Sequence, residues 1–365
     1  TPTAPLQVHG LDLSYFTGKL EAYLRNKGID YDLIEMDTRD FKRCAKATGV
    51  AQMPQVEWLD GQWLSDTHLT IPFLDQRYTK TSIACANESS NFVASLLETF
   101  ADEWLWRPAL VYRWENAQDA RLMSGRLADG MMRDLPLPHA IRRQIILNRQ
   151  RLHFLFLDGY TRQTAPRIRE HYLESLEALE KVLAAHPFVM GARPTLADYG
   201  FFGSMFRHFF SDPTPARIMR ERAPAVQEWV ARLWNTSLER ITSVAAITHW
   251  PSELSAIFAI VADEFLPYMQ ANEKAWANGQ KKFEFMSETV RFKLPVHSYR
   301  AWRYQRLRQH FQSLAGHDQK ALADLPERIL RAMSEPIKAK VPPAIEELPI
   351  KPAQNVNKGF KPRTW

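Results

Sequence analysis

Leu13-Ser-Tyr-Phe-Thr-Gly-Lys-Leu-Glu-Ala-Tyr-Leu-Arg-Asn-Lys-Gly28 is the stretch on which the reading of this chain depends. Apolar residues at Leu20, Tyr23 and Leu24 recur at the spacing of one helical face, so Thr17 to Lys27 reads as a helix. A strand candidate, Leu6 to Gly10, runs into it through a hydroxyl-rich loop, which puts Ser14 at the open end of the helix. Unpaired backbone N–H groups and the positive end of the helix dipole meet there, so a hydroxyl beside them is placed to stabilise an anion such as a thiolate. Tyr15 offers a phenolic donor and Thr17 a second hydroxyl at the same turn. A purely local reading makes Ser14 a turn residue and Thr17 an N-cap, each bonding only neighbouring backbone.

Outward from this helix, Tyr31 to Met36 reads as a second strand and completes a βαβ unit. Asp40 to Ala47 reads as a short, irregular helix. Gln55-Val-Glu-Trp-Leu59 and Gln62-Trp-Leu64 flank Asp60-Gly61, a hairpin signal, and a last helix is predicted from about Asp66 to Tyr78. The order β-α-β-α-β-β-α is that of a thioredoxin-like domain, assigned to residues 1–80. Pro54 stands directly before the hairpin, where a central strand normally rejects proline. A cis Met53-Pro54 bond that turns the Met53 backbone toward a ligand accounts for it; an ordinary strand-entry proline is the plainer alternative.

After a polar linker near Thr81 to Asn87 the helical pattern becomes continuous, and residues 88–250 read as an all-helical domain. Phe92, Leu96, Leu97, Phe100 and Trp104 share a helix face that Pro108 should kink or end. Ile168 to Ala185 is a second long helix. In Pro194-Thr-Leu-Ala-Asp198, Thr195 can cap the next helix while Asp198 reaches back, a capping box with Asp in place of Glu. Residues 251–335 form a mainly helical extension, with helices at Leu254 to Asn278 and Ser298 to Leu314 and a hairpin at Lys282 to Leu294. Residues 336–365, punctuated by prolines, read as an arm without its own core, wrapped on the body or disordered.

The chain has 365 residues, enough for two domains with cores. Cys44 and Cys85 are too few for a disulfide framework or a zinc site, and the histidines show no ligand spacing, so no metal is expected. A phosphate-binding glycine loop is absent, as are a run of membrane-spanning length and the basic-then-apolar order of a signal peptide. The expectation is a soluble, cytoplasmic protein without membrane contact. A net charge of +6 suits anionic small molecules and does not by itself imply nucleic acid. The basic, aromatic stretch Tyr299 to His310 is compatible with nucleic-acid contact, but a solvated helix face or one packed on the body is the expected reading.

With these elements in place, the chain resembles the cytosolic glutathione S-transferase superfamily. The resemblance rests on Ser14-x-x-Thr17-x-Lys19 leading to Lys27-Gly28-Ile29-Asp30-Tyr31, and on Gln52-Met53-Pro54 with Asp66-Thr67 twelve residues later. It rests also on Phe188 to Asp198, which looks like the family's N-capping box, and on Arg220 to Trp229 as the helix after it. The implied fold is an α/β thioredoxin-like N-terminal domain, an all-α glutathione-transferase C-terminal domain and, here, a helical C-terminal extension. The implied cosubstrate is glutathione. Ser14, or else Tyr15 or Thr17, would donate a hydrogen bond to its thiolate. Met53 would pair its backbone with the cysteinyl part beside Pro54. Asp66 and Thr67 would bind the γ-glutamyl end, and Gln52 with Lys42, Arg43 or Lys46 the glycyl carboxylate. Trp104, Trp106, Arg107, Tyr112, Arg113 and Trp114 would wall a pocket for a hydrophobic, flat electrophile, with core packing as the competing role. A homodimer is implied as well. The implied activity is transfer or cleavage by the glutathione thiolate; the alternative is a non-catalytic binding or assembly module on the same fold. A reductase is disfavoured because Ser14 stands where reductive members carry cysteine.

Overall fold

A computed structural model describes residues 4–352. The first unit runs β1 (Leu6–Gly10), α1 (Tyr15–Asn26), β2 (Tyr31–Glu35), α2 (Thr38–Thr48), β3 (Gln55–Glu57), β4 (Trp63–Ser65) and α3 (Thr67–Asp75). Its sheet has the order β2-β1-β3-β4, with β1 and β2 parallel and the other two pairs antiparallel. The parallel pair is what the helical crossover through α1 requires. Three details differ from the sequence reading. Helix α2 is regular and longer than expected, because Asp37 caps its first N–H groups and Gly49 closes it in the left-handed conformation. The hairpin strands are shorter, since Leu59–Gly61 form a 3-10 turn with Asp60 at φ 55°. Helix α1 starts earlier, at Tyr15, with Ser14 rather than Thr17 as its N-cap.

The helical body follows as α4 (Glu88–Trp104), α5 (Trp106–Glu115), α6 (Ala117–Met131), α7 (His139–Arg149), α8 (Ala165–Ala185), α9 (Leu196–Ser204), α10 (Pro213–Arg222), α11 (Pro224–Trp234) and α12 (Leu238–Thr242). The break expected at Pro108 falls at Leu105, between α4 and α5. Pro108 then lies in the first turn of α5, where its missing N–H leaves no intrahelical bond unmade. Helix α9 packs on both α4 and α1, and two glycines make this approach possible. A Cβ at Gly200 would lie 2.8 Å from the Glu98 Cα, and one at Gly203 would lie 2.7 Å from the Tyr15 ring. Gly200→Ala is therefore expected to destabilise the chain by about 1–3 kcal/mol, because the obstacle is backbone that cannot step aside. A lowered urea midpoint would register the effect.

The extension comprises α13 (Ser255–Ile260), α14 (Leu266–Ala277), β5 (Lys282–Ser287), β6 (Val290–Pro295), α15 (Ser298–Ser313), α16 (Gly316–Ala321) and α17 (Glu327–Ser334). A π-helical turn, Val261–Phe265, joins α13 to α14, so the single helix expected there carries a local irregularity. Helix α15 takes the second of its two expected roles, packing on the body rather than presenting a solvated face. Arg300, Arg303 and Arg308 are buried in ion pairs and Arg306 is exposed. The proline-rich arm, as far as residue 352, is wrapped on the body. Val341 packs against Ala301 and Trp302, and Ile350 exchanges backbone hydrogen bonds with Trp63 at the β4 edge. That bridge covers an otherwise open sheet edge. The rest of the expected arm lies outside the described residues.

Candidate functional site

A cavity of about 330 Å³ opens where the first unit, the helical body and the extension meet. Six residues singled out from the sequence line it together: Ser14, Gln52, Met53, Pro54, Asp66 and Thr67. They come from three separate stretches. Ser14 arrives as the N-cap of α1, its Oγ accepting from the Thr17 N–H at 3.3 Å. With that acceptor role filled, the O–H remains able to donate into the cavity. The Met53-Pro54 bond is cis. Asp66 caps α3, its Oδ1 accepting from the His68 N–H at 3.0 Å, with its backbone at φ 67°.

The two alternatives to Ser14 are placed differently. Tyr15 borders the cavity, but its buried O–H donates to the Ala101 carbonyl at 2.6 Å. Burial and the nearby Asp102 charge raise the phenol well above its ordinary range, so it stays protonated in that bond. Thr17 is fully buried beneath the turn, away from the lining. Lys42 and Lys46 are exposed on α2 and do not line the cavity. Arg43 is engaged with Asp40, Glu57 and the His9 ring. The cation expected for a glycyl carboxylate is thus not in the lining, because the cavity faces Phe41 on that helix.

The proposed wall on α4 and α5 divides by helical phase. Trp106, Leu110, Arg113 and Trp114 line the cavity, whereas Trp104, Arg107 and Tyr112 point away from it. The spacing of the first three is one face of α5, and the others fall on faces that the body and the extension cover. Trp104 packs on His171 with ring centroids 4.4 Å apart, Tyr112 on Tyr172 at 5.1 Å, and Arg107 donates to the Asp158 carbonyl at 2.9 Å. Arg113 lines the site but is committed. It pairs with the buried Asp212 through two hydrogen bonds, at 2.7 and 2.8 Å, and donates to the Leu13 carbonyl at 3.0 Å. Its effect is to hold the loop that presents Ser14. Phe16 stacks on Trp106 at 6.0 Å with 23° between planes, which forms a flat apolar surface beside Ser14. His208 also borders the cavity. Burial and the Arg113 charge hold it well below its ordinary pKa, so its imidazole is neutral.

Several lining residues were not assigned to this site from the sequence. Arg149, Gln150 and Phe154 come from α7 and the π-helical turn that continues it, and His297, Tyr299 and Arg300 from the extension. Asp158 accepts from Trp106 Nε1 at 3.0 Å and from both Arg300 terminal nitrogens at 3.2 Å. Burial opposes its ionisation, but Arg300, His297 and Arg107 together hold its carboxyl below the ordinary range. One group with metal-ligand chemistry is brought together elsewhere among the described residues: His9, Asp40 and Cys44, within 4.8 Å of one another. The Arg43 guanidinium lies 3.0 Å from the same Asp40 carboxylate, and burial pushes the Cys44 thiol up to about 12. The guanidinium already supplies a positive partner to that carboxylate. Among the described residues no helix is long and apolar enough to cross a membrane.

Residues 162–232 match the family described as glutathione S-transferase, C-terminal domain. No curated protein matches the chain. Among solved structures, the β-etherase LigF from Sphingobium sp. strain SYK-6 is similar at 16% identity and a TM-score of 0.46, over 66% of this chain and 99% of that one. Glutathione S-transferase-I bound with lactoylglutathione is similar at 18% identity and 0.42, over 67% and 100%. A glutathione S-transferase from Methylobacillus flagellatus KT with GSH bound is similar at 14% and 0.41, over 66% and 100%. The family model matches residues 162–232, which span the helices on either side of the capping segment, and the architecture around them, an α/β unit with a small sheet followed by a helical body and a helical extension, is glutathione S-transferase-like.

Proposed function

We propose that the chain is a glutathione-dependent transferase in which Ser14 stabilises the glutathione thiolate for attack on a hydrophobic, aromatic electrophile. The observation that carries this reading is the convergence of Ser14, Met53 and the Asp66-Thr67 pair on one cavity, beside the Phe16–Trp106 surface. Glutathione lies with its γ-glutamyl ammonium against Asp66 and its cysteinyl amide against the Met53 backbone. Its sulfur then faces the start of α1, where the Ser14 O–H and the helix dipole favour the charged form. The sulfur lone pair forms the new C–S bond, and the leaving group departs with the bonding electrons. The aromatic pair supports a flat acceptor by stacking.

A calorimetric titration with glutathione tests the reading, with the thiolate absorbance of the bound ligand followed against pH. Ser14→Ala is expected to raise the bound thiol's pKa by about two units, equivalent to about 2.7 kcal/mol of lost thiolate stabilisation. Asp66→Ala should remove most of the affinity. Absence of binding at millimolar glutathione would overturn the enzyme reading and leave the fold serving as a binding or assembly module.

A further inference from the structure

We infer that the C-terminal extension is part of the glutathione site, with Tyr299 acting as a positioning residue that holds Asp66 for the γ-glutamyl ammonium. The inference rests on the functional reading above and adds to it a residue that lies outside both domains of the transferase fold.

The Tyr299 O–H donates to Asp66 Oδ2 at 2.9 Å, and both residues line the cavity. Asp66 needs such a hold. Its backbone sits at φ 67° and ψ 107°, a conformation that few residues other than glycine adopt without support. Its own contact within α3 fixes only Oδ1, through the His68 N–H. Tyr299 fixes the other oxygen. A carboxylate has about four acceptor positions, so two filled sites leave room for an ammonium N–H. The arrangement therefore orients the carboxylate without consuming it.

Tyr299 is itself held from behind. Its ring packs at 5.5 Å on Trp302, and its oxygen accepts from Arg303 at 3.4 Å. Arg303 donates to Glu98 at 2.6 Å, and Glu98 accepts from Lys19 at 2.5 Å. Lys19 belongs to α1, the helix that Ser14 opens. The extension thus joins the Asp66 wall to the Ser14 wall through one chain of charged contacts. In such a chain each donor polarises the next.

The test uses the full chain, glutathione and Tyr299→Phe, which keeps the ring and removes only the hydroxyl. Two quantities are read: the dissociation constant, and the pKa of the bound thiol at saturation. Glutathione is expected to bind about tenfold more weakly, the scale of losing one hydrogen bond to a charged group, while the bound thiol's pKa stays where it is. An unchanged dissociation constant overturns the inference. So does a joint shift of affinity and thiol pKa, which would mark general loosening of the site. Tighter binding overturns it too, since Tyr299 would then compete with the ligand for Asp66. Failure of the unsubstituted chain to bind glutathione would instead remove the functional reading itself.

Discussion

Arg303→Met is expected to lower the free energy of unfolding by about 3–5 kcal/mol, the scale of removing one partner from a buried ionic cluster. Arg303 is 1% exposed at its side chain and faces Glu98 and Asp102, at 0% and 1%, with Lys19 at 0% on the far side of the same carboxylates. Two cations face two buried carboxyl groups: Arg303 and Lys19 hold Glu98 well below the ordinary range, whereas burial pushes Asp102 well above it. The substitution keeps most of the aliphatic stem and its packing, so the loss isolates the charge and its hydrogen bonds. Thr99 also loses the donor it meets at 3.0 Å. Lys19→Met should cost a similar amount. The double substitution should depart from the sum of the two, because both cations serve the same carboxylates. Equilibrium urea unfolding of the two single variants and the double variant measures all three quantities. A loss below 1 kcal/mol for Arg303→Met would mean that the extension docks without help from this cluster.

This cluster also shows where the sequence could be read and where it could not. The first unit was legible because its signals are local. The apolar period of α1, the Asp60-Gly61 turn and the proline before β3 each fix geometry within a few residues. The positions of Ser14 and Met53 followed from such elements, whereas a role for Asp66 came only with the resemblance to the transferase superfamily. The wall on α5 was half legible: aromatic residues crowd Trp104 to Trp114, but the break at Leu105 resets the helical phase. Composition alone therefore could not separate Trp106, in the cavity, from Trp104, in the core. The extension's share was illegible for a physical reason. Arg300 and Arg303 look like a basic helix face because their partners, Glu103, Asp158, Glu98 and Asp102, lie about 140 to 205 positions away in sequence. The glycines of α9 were equally silent, since only the approach of α4 and Tyr15 gives Gly200 and Gly203 a meaning.

Asp198→Ala is expected to destabilise the chain by about 3–6 kcal/mol, because one carboxylate serves three buried N–H donors whose desolvation is then uncompensated. Oδ1 accepts from the Val189 N–H at 2.9 Å and from Trp229 Nε1 at 3.1 Å. Oδ2 accepts from the Thr195 N–H at 2.9 Å, the return half of the capping box that the sequence already suggested. The longer contact from the Thr195 hydroxyl, at 3.4 Å, adds a fourth donor to the same group. Only a side chain that accepts at both oxygens can satisfy this set, which separates Asp198 from its closest isostere. Asp198→Asn keeps one oxygen and turns an amide N–H toward the remaining donors, so it should fall between the wild type and Asp198→Ala. Urea unfolding gives the order. The consequence reaches the site by one step. Helix α9, which Asp198 anchors, supports Tyr15 through Gly203, and Tyr15 lies next to Ser14 in the turn that opens α1. A chain that stays folded as Asp198→Asn should therefore bind glutathione more weakly than the wild type, although no atom of Asp198 borders the cavity. Unaltered affinity in a measurably destabilised Asp198→Asn protein would show that the turn holding Ser14 is fixed by Arg113 and its own cap alone.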